Sequence, residues 1–79
     1  MADRTLDCQG LYCPLPVVYT AKELRRLDPG QTLLILATDP GAAPDLADWC
    51  AATGNELVSS EKEGAVIRIV IRRRLRAAP

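Results

Sequence analysis

The sequence predicts an α/β fold, in detail a two-layer α+β sandwich with the element order βαβαββ. Short apolar runs typical of strands alternate with two segments of helical apolar spacing, and two strand-like runs joined by a turn follow them. Right-handed crossovers place both helices on one face of a mixed four-stranded sheet. Because one face of such a sheet tolerates water, we expect the other face to be open to solvent.

The first strand and the first helix are predicted on either side of a turn that contains Gly10. Residues 5–8 form the strand. Pro14 and Pro16 suit the first turn of a helix, because proline lacks the N–H group that has no partner there. Apolar residues then recur at helical spacing as far as Leu27, and a Pro-Gly pair ends the helix.

A continuous apolar run over residues 32–38 predicts the second strand, flanked by neighbours on both edges. After a break at Asp39, helical spacing returns over residues 44–53, and Gly54 suits the left-handed residue that ends a helix. The rest of the chain is predicted to form a third strand, a hairpin turn, a fourth strand and a flexible tail, at residues 56–60, 61–64, 65–73 and 74–79.

Length and composition narrow the classes of function. The 79 residues predict a single domain over residues 1–79 with an ordered core over residues 4–73. Ten basic and ten acidic residues give zero net charge, which is not typical of a protein that holds nucleic acid or a membrane by charge. Since there is no long apolar run and no signal-peptide pattern, we expect a cytoplasmic protein.

Three cysteines and no histidine limit the chemistry. An odd number of cysteines is not typical of a secreted disulfide scaffold, and a reducing compartment keeps thiols free. Without histidine, Cys-His and Ser-His nucleophile pairs and mixed Cys/His zinc sites are excluded within this chain. Three thiols bind a metal only with help from a carboxylate or a second subunit, and we expect neither a metal nor an organic cofactor.

Cys13 is the most informative residue. It stands in the string Gly10-Leu11-Tyr12-Cys13-Pro14-Leu15-Pro16, directly before the first predicted helix. The first N–H groups of a helix have no internal partner, and the peptide dipoles leave partial positive charge there. Such a location lowers the pKa of a thiol and favours the reactive thiolate. We expect Cys13 to be an exposed nucleophile rather than a small buried apolar residue. We also expect these N–H groups to bind an anionic sulfur atom carried by Cys13.

The pattern Leu6-Asp7-x-x-Gly10-Leu11-x-Cys13-Pro14-x-Pro16 resembles the TusA family of small sulfur carriers, also described as SirA-like. Three further matches fall at corresponding places, in residues 29–33, 39–40 and 54–57. The resemblance extends from about Leu6 to Arg73. It implies the same βαβαββ fold and a sulfurtransferase activity with little turnover in the absence of partner proteins.

The resemblance also implies a mechanism. The Cys-Pro-x-Pro cysteine, here Cys13, accepts sulfane sulfur from a cysteine desulfurase or a rhodanese and holds it as a persulfide. The sulfur then passes to an acceptor protein in tRNA thiolation, molybdenum cofactor maturation or dissimilatory sulfur metabolism. Leu15 stands where some members of the tRNA branch have an acidic residue, so the residues leave the choice of partner open between that branch and members that act in sulfur oxidation. The residues expected to support the site or form the partner surface are Gly10, Pro14, Leu15, Pro16 and Asp39.

Several roles are left open by the residues themselves. Asp39 is either a turn residue that accepts nearby N–H groups or part of the surface beside Cys13. Cys8 is either a strand-end residue or a resolving thiol, and the latter gives the alternative of a thiol–disulfide redox protein that uses Cys8 and Cys13. Cys50 and Trp49 are expected in the core.

A second alternative is a non-catalytic regulator that binds RNA or another protein through a basic C-terminal segment. That segment carries Arg68, Arg72, Arg73, Arg74 and Arg76. Few aromatic residues accompany these arginines, so we expect no direct contact with nucleic acid and none with a membrane. A third, minor alternative is a metal site shared between subunits.

Overall fold

The computed structural model describes residues 2–75, and its elements follow the predicted order. No helix within these residues is long and apolar enough to cross a bilayer. The predicted mixed sheet with two helices is confirmed. The elements are β1 (Arg4–Cys8), α1 (Leu15–Leu24), β2 (Thr32–Ala37), α2 (Ala42–Thr53), β3 (Glu56–Glu63) and β4 (Val66–Arg72).

The strand order in the sheet is β1-β2-β4-β3. β1 lies parallel to β2, whereas β4 is antiparallel to both β2 and β3. Because β1 and β2 are parallel neighbours, the loops that follow them leave the sheet at the same edge. This topology places the loop that contains Cys13 next to the loop that contains Asp39.

Both helices cover one face of the sheet. Side chains of β2 and β4 alternate, so that every second residue enters the core. Leu24 of α1 and Leu46 and Cys50 of α2 pack against that face in one apolar cluster, which confirms Cys50 as a core residue. Trp49 is partly buried against the same cluster. The buried strand residues are Leu33, Ile35, Ala37, Ile67, Ile69 and Ile71.

The first helix ends earlier in the chain than predicted, and the second helix begins earlier than predicted. α1 ends at Leu24 rather than Leu27, because the chain tightens there into turns whose N–H groups reach carbonyls three residues back. Leu27 is still buried. α2 starts at Ala42, before Pro44, which occupies the third helical position, where a missing N–H group breaks no intrahelical bond.

The predicted hairpin turn over residues 61–64 is wrong. β3 continues to Glu63, and the turn consists of Gly64 and Ala65. The reason is pairing: Glu61 lies opposite Arg68 in the ladder, so a cross-strand pair of opposite charge accompanies the main-chain hydrogen bonds. These interactions outweigh the low strand propensity of charged residues.

A candidate functional site around Cys13

Cys13 lies on the loop between β1 and α1, and its side chain is exposed. Gly10 on the same loop has a φ of 81°, in the left-handed region that glycine adopts without strain. Its N–H group donates to Thr38 Oγ1 at 2.9 Å, across to the loop after β2. The loop of Cys13 is therefore anchored to the neighbouring loop rather than free.

Asp39 makes the second link between the two loops. Its Oδ2 accepts the Cys13 N–H group at 2.9 Å, and its Oδ1 accepts the Gly41 N–H group at 3.1 Å. The two roles considered for Asp39 therefore coincide, because one carboxylate shapes its own turn and also fixes the backbone of Cys13. A charged acceptor makes such hydrogen bonds stronger than those between neutral groups.

The start of α1 offers no cradle of free N–H groups within the described part of the chain. Pro14 and Pro16 have no N–H to donate. The Leu15 N–H group donates to Tyr12 O at 2.9 Å, and the Val17 N–H group donates to Pro14 O at 3.1 Å. The expectation that the first N–H groups of α1 bind an anionic sulfur atom carried by Cys13 is therefore wrong. The prolines give the helix its start, with Pro14 at the N-cap and Leu15 and Pro16 in the first turn.

Two carboxylates act on the thiol. Asp45, in the first turn of α2, raises the pKa of the Cys13 thiol above its ordinary value as a hydrogen-bond acceptor for the protonated sulfur, and desolvation and the negative charges of Asp45 and Asp39 raise this pKa further. The predicted lowering of the Cys13 pKa is therefore wrong for the protein alone, because acidic side chains from the adjacent loop and helix dominate the local electrostatics.

Exposed apolar side chains lie on the same loop and along α1. Tyr12 next to Cys13 is 73% exposed, and Leu15, which follows Pro14, is 40% exposed. Val18 and Tyr19 on α1 are 40% and 41% exposed. We call Tyr12, Leu15, Val18 and Tyr19 the apolar rim. Large exposed apolar groups around a reactive atom are typical of surfaces that other proteins cover.

The other two cysteines are in a different environment. Cys8 and Cys50 are both buried, with exposed fractions of 0% and 2%. Burial raises the pKa of both thiols, and for Cys8 the charge of Asp7 adds to the effect. All three cysteines are free. A disulfide between Cys8 and Cys13 would have to join a fully buried thiol to an exposed one.

The arginines of the predicted basic segment are engaged within the protein. Arg72 pairs with Glu56 at 2.9 Å, and Arg68 lies 3.9 Å from a Glu63 oxygen. Arg73 donates to the carbonyls of Leu27 and Arg25, just after α1, and Arg74 donates to Thr53 O at the end of α2. Cations at these positions offset the negative ends of the helices. The predicted tail comprised residues 74–79, and its last four residues, Arg76 included, lie outside the described residues.

Sequence analysis missed Asp45 and Thr38. Asp45 is 32 positions from Cys13 in the chain, and its effect on the pKa of the thiol depends on the parallel pairing of β1 with β2. The available signal was the presence of Asp39, Asp45 and Asp48 after the second strand, at the edge where parallel strands end. Among residues 2–75, no three His, Cys, Asp or Glu side chains form a cluster that could hold a metal ion.

The fold and the site define a small α/β sandwich that presents one exposed thiol on a loop fixed by its neighbour. Comparison with known proteins assigns the family: residues 4–73 match the model of the "Sulfurtransferase TusA" family, and the chain belongs to it. This confirms the resemblance seen in the Cys-Pro-x-Pro motif.

Two similar proteins agree with this assignment. The chain is 49% identical over 61 residues to a protein of Aquifex aeolicus named "Putative sulfur carrier protein", a match that covers 77% of this chain and 31% of that protein. The chain thus spans about a third of that relative's length. The crystal structure of a SirA-like protein from Desulfitobacterium hafniense superposes with a TM-score of 0.74 at 27% identity, covering 90% of this chain and 97% of that one. Together these matches support the family assignment.

Proposed function

We propose that this protein is a sulfur carrier in which Cys13 accepts sulfane sulfur as a persulfide and passes it to an acceptor protein. The observation that carries the proposal is the exposed thiol of Cys13 on a loop whose backbone is fixed by Asp39. Membership of the TusA family supports the chemistry. Fixing the loop before a partner arrives lowers the entropic cost of forming the complex.

The reaction is an exchange of one sulfur atom between thiols. The Cys13 thiolate attacks the terminal sulfur of a donor persulfide, a new S–S bond forms on Cys13, and the S–S bond of the donor breaks. The donor leaves as a thiolate and takes up a proton. The second half-reaction repeats this exchange with Cys13 as the donor and an acceptor thiol as the nucleophile. No external oxidant or reductant is consumed.

The partners follow from this chemistry. The donor is a protein that forms a persulfide, such as a cysteine desulfurase or a rhodanese, and the acceptor is a second protein with a reactive thiol. The apolar rim supports docking, and its small size favours complexes that dissociate after transfer. We propose that the protein acts in the cytoplasm, where thiols remain reduced, and has little turnover without its partners.

The alternatives have less support from the structure. A Cys8–Cys13 redox pair would use a thiol with no exposed surface. A regulator that binds RNA through the basic segment would use arginines that are already bonded to carboxylates and helix carbonyls. Both alternatives are outcomes that the following experiment detects.

The test is the intact mass of the protein after incubation with a cysteine desulfurase and cysteine, or with a rhodanese and thiosulfate. Wild-type protein is expected to gain one sulfur atom. Cys13→Ser is expected to gain none, and Cys8→Ser serves as the matched control that still gains one. Sulfur loading on Cys13→Ser would overturn the proposal. A loss of transfer in Cys8→Ser, with its fold intact, would instead favour the redox pair.

A further inference from the structure

A cavity of about 230 Å³ lies at the end of the helix layer that is opposite Cys13. It is lined by the C-terminal parts of α1 and α2 and by the chain that follows β4. Three arginines, Arg25, Arg73 and Arg74, line it, and no acidic side chain from residues 2–75 does. We call this cavity the arginine pocket. Three of the ten basic residues of a chain with zero net charge therefore meet at one cavity.

Two of these arginines are held in place by the ends of the helices. Arg73 donates to the carbonyls of Leu27 and Arg25. Arg74 donates to Thr53 O at 2.6 Å. Within residues 2–75 these side-chain bonds all start from Nη1, whereas a guanidinium group has five N–H donors. The remaining donors of two fixed guanidinium groups are available to a ligand, and their fixed position lowers the entropic cost of binding it.

The charge of the arginine pocket stays positive after the helix ends are included. The free carbonyls at the end of a helix carry about half a negative charge, so the two helices contribute about −1. The three guanidinium groups contribute about +3. Arg25 is exposed and makes no ion pair with the residues that the structure describes, so its charge is not neutralised there. The excess positive charge favours an anion with two negative charges.

One wall of the arginine pocket is an aromatic ring. Trp49, the only tryptophan of the chain, is partly buried against the core and lines the pocket. Its carbonyl accepts the Thr53 hydroxyl at 2.7 Å, and Asn55 Nδ2 donates to that hydroxyl at 2.9 Å. This wall is thus tied to the same helix end as Arg74. Since pockets for drug-sized ligands measure about 300–1,000 Å³, the smaller volume here favours a small molecule.

We propose that the arginine pocket binds a small phosphate monoester whose organic part contacts Trp49. A phosphate monoester carries about two negative charges at neutral pH and three strong acceptor oxygens. Guanidinium groups bind such oxygens in pairs. A carboxylate has one charge and two oxygens, so we expect it to bind more weakly. The pocket is separate from the sulfur-carrying site, because the length of α1, about 15 Å, lies between it and Cys13.

The first test follows the fluorescence of Trp49, to which no other tryptophan contributes. Phenyl phosphate, inorganic phosphate and benzoate are titrated at constant low ionic strength. Phenyl phosphate is expected to give a saturable change with a Kd on the order of 1 mM. Inorganic phosphate is expected to bind more weakly, because it lacks the ring that contacts Trp49. Benzoate is expected to bind at least about fivefold more weakly than phenyl phosphate, because it carries the smaller charge.

The second test compares variants in the same titration. Arg25→Gln and Arg74→Gln are each expected to weaken the binding of phenyl phosphate about tenfold, because each removes a charged donor. Arg26→Gln is the matched control, since it removes the same charge from an exposed neighbour that does not line the pocket. Its affinity is expected to stay within about twofold of wild type. Circular dichroism confirms that each variant is folded, and Arg25→Gln suffices if the loss of the Arg74 bond to Thr53 unfolds the other variant.

Amide chemical shifts of Thr53, Asn55 and Arg74 provide a measurement that does not depend on the indole ring. The inference is overturned if phenyl phosphate gives no saturable change in either the fluorescence or these shifts, or if benzoate binds as tightly. It is also overturned if Arg26→Gln weakens binding as much as Arg25→Gln, since the attraction would then be due to net charge alone. Cys13→Ser is expected to bind phenyl phosphate like wild type, so a failure of sulfur loading leaves this result unchanged.

Discussion

The two ends of the helix layer differ in whether their functional side chains are exposed or bonded within the chain. At the thiol end, where β1 and β2 finish, Cys13 and the apolar rim are exposed above two linked loops. At the arginine end, Arg73 and Arg74 donate to the carbonyls at and just beyond the ends of the two helices. The arginine side chains at the arginine end are bonded within the chain, whereas the thiol and the apolar rim at the thiol end are exposed. This difference fits the proposal that a partner protein covers the thiol end while the arginine end stabilises the fold.

The largest expected effect concerns the accessibility of the cysteines. In native protein, iodoacetamide is expected to modify Cys13 on the order of 100-fold faster than Cys8 or Cys50, because the buried thiols react only when the fold opens locally. Quantitative mass spectrometry over time measures the three rates. In denaturant the three thiols are expected to react alike, which serves as the control. Equal native rates would show that the thiol end has no special exposure.

The next largest expected effect is a loss of stability when an arginine at the arginine end is replaced. Arg73→Gln is expected to lower the free energy of unfolding by about 1–2 kcal/mol, because a half-buried charged donor to two carbonyls is lost. Urea denaturation measures the change. Sulfur loading by the folded variant is expected to match wild type, since Cys13 is at the other end. A variant of normal stability that fails to load would contradict the division of tasks.

Asp39 offers the corresponding test at the thiol end. Asp39→Asn is expected to cost about 1 kcal/mol, because the amide keeps one acceptor oxygen and turns its NH₂ toward a backbone N–H group. Unlike Arg73→Gln, it is also expected to slow sulfur loading, since the backbone of Cys13 loses its fixed position. Asp7→Asn is the matched control, because Asp7, in β1, accepts the N–H group of Gln9, only two positions along the chain, and makes no link between the two loops. Unchanged loading by Asp39→Asn would show that the link between loops does not position Cys13.

The smallest expected effect is the loss of stability in Arg68→Gln, which we compare with that in Arg73→Gln. Arg68 lies on the open face of the sheet, 3.9 Å from a Glu63 oxygen, and both side chains are well exposed. Arg68→Gln is therefore expected to change the free energy of unfolding by less than about 0.5 kcal/mol in urea denaturation. A cost equal to that of Arg73→Gln would mean that the charge of the segment, rather than helix capping, stabilises the fold.

The fold could be predicted because its periodicities are local. The alternation of Ile67, Ile69 and Ile71 with Arg68, Val70 and Arg72 predicts a strand with one buried face, and the structure has that face. The Cys-Pro-x-Pro motif likewise identified Cys13. What could not be predicted depends on contacts between distant residues. The pairing of β1 with β2 brings Asp39 to the backbone of Cys13, and the antiparallel course of β4 brings Arg73 to the end of α1.

The sign of the Cys13 pKa shift shows the same limit. A position before a helix predicts a lowered pKa from backbone dipoles alone. The structure instead has prolines and bonded N–H groups at that helix start, and Asp45 and Asp39 raise the pKa of the thiol. The local motif predicts the position of the Cys13 sulfur. The charges that shift its pKa belong to Asp39 and Asp45, in the next loop and helix.

The most direct test of the account is to locate the transferred sulfur in wild-type protein. After loading by a donor and alkylation, trypsin leaves Cys8 and Cys13 together in one peptide, residues 5–22, while Cys50 falls in another. Fragmentation of the first peptide then distinguishes its two cysteines. If the proposed function is right, the additional sulfur is found on Cys13 alone. Sulfur found on Cys8 or Cys50 would contradict it.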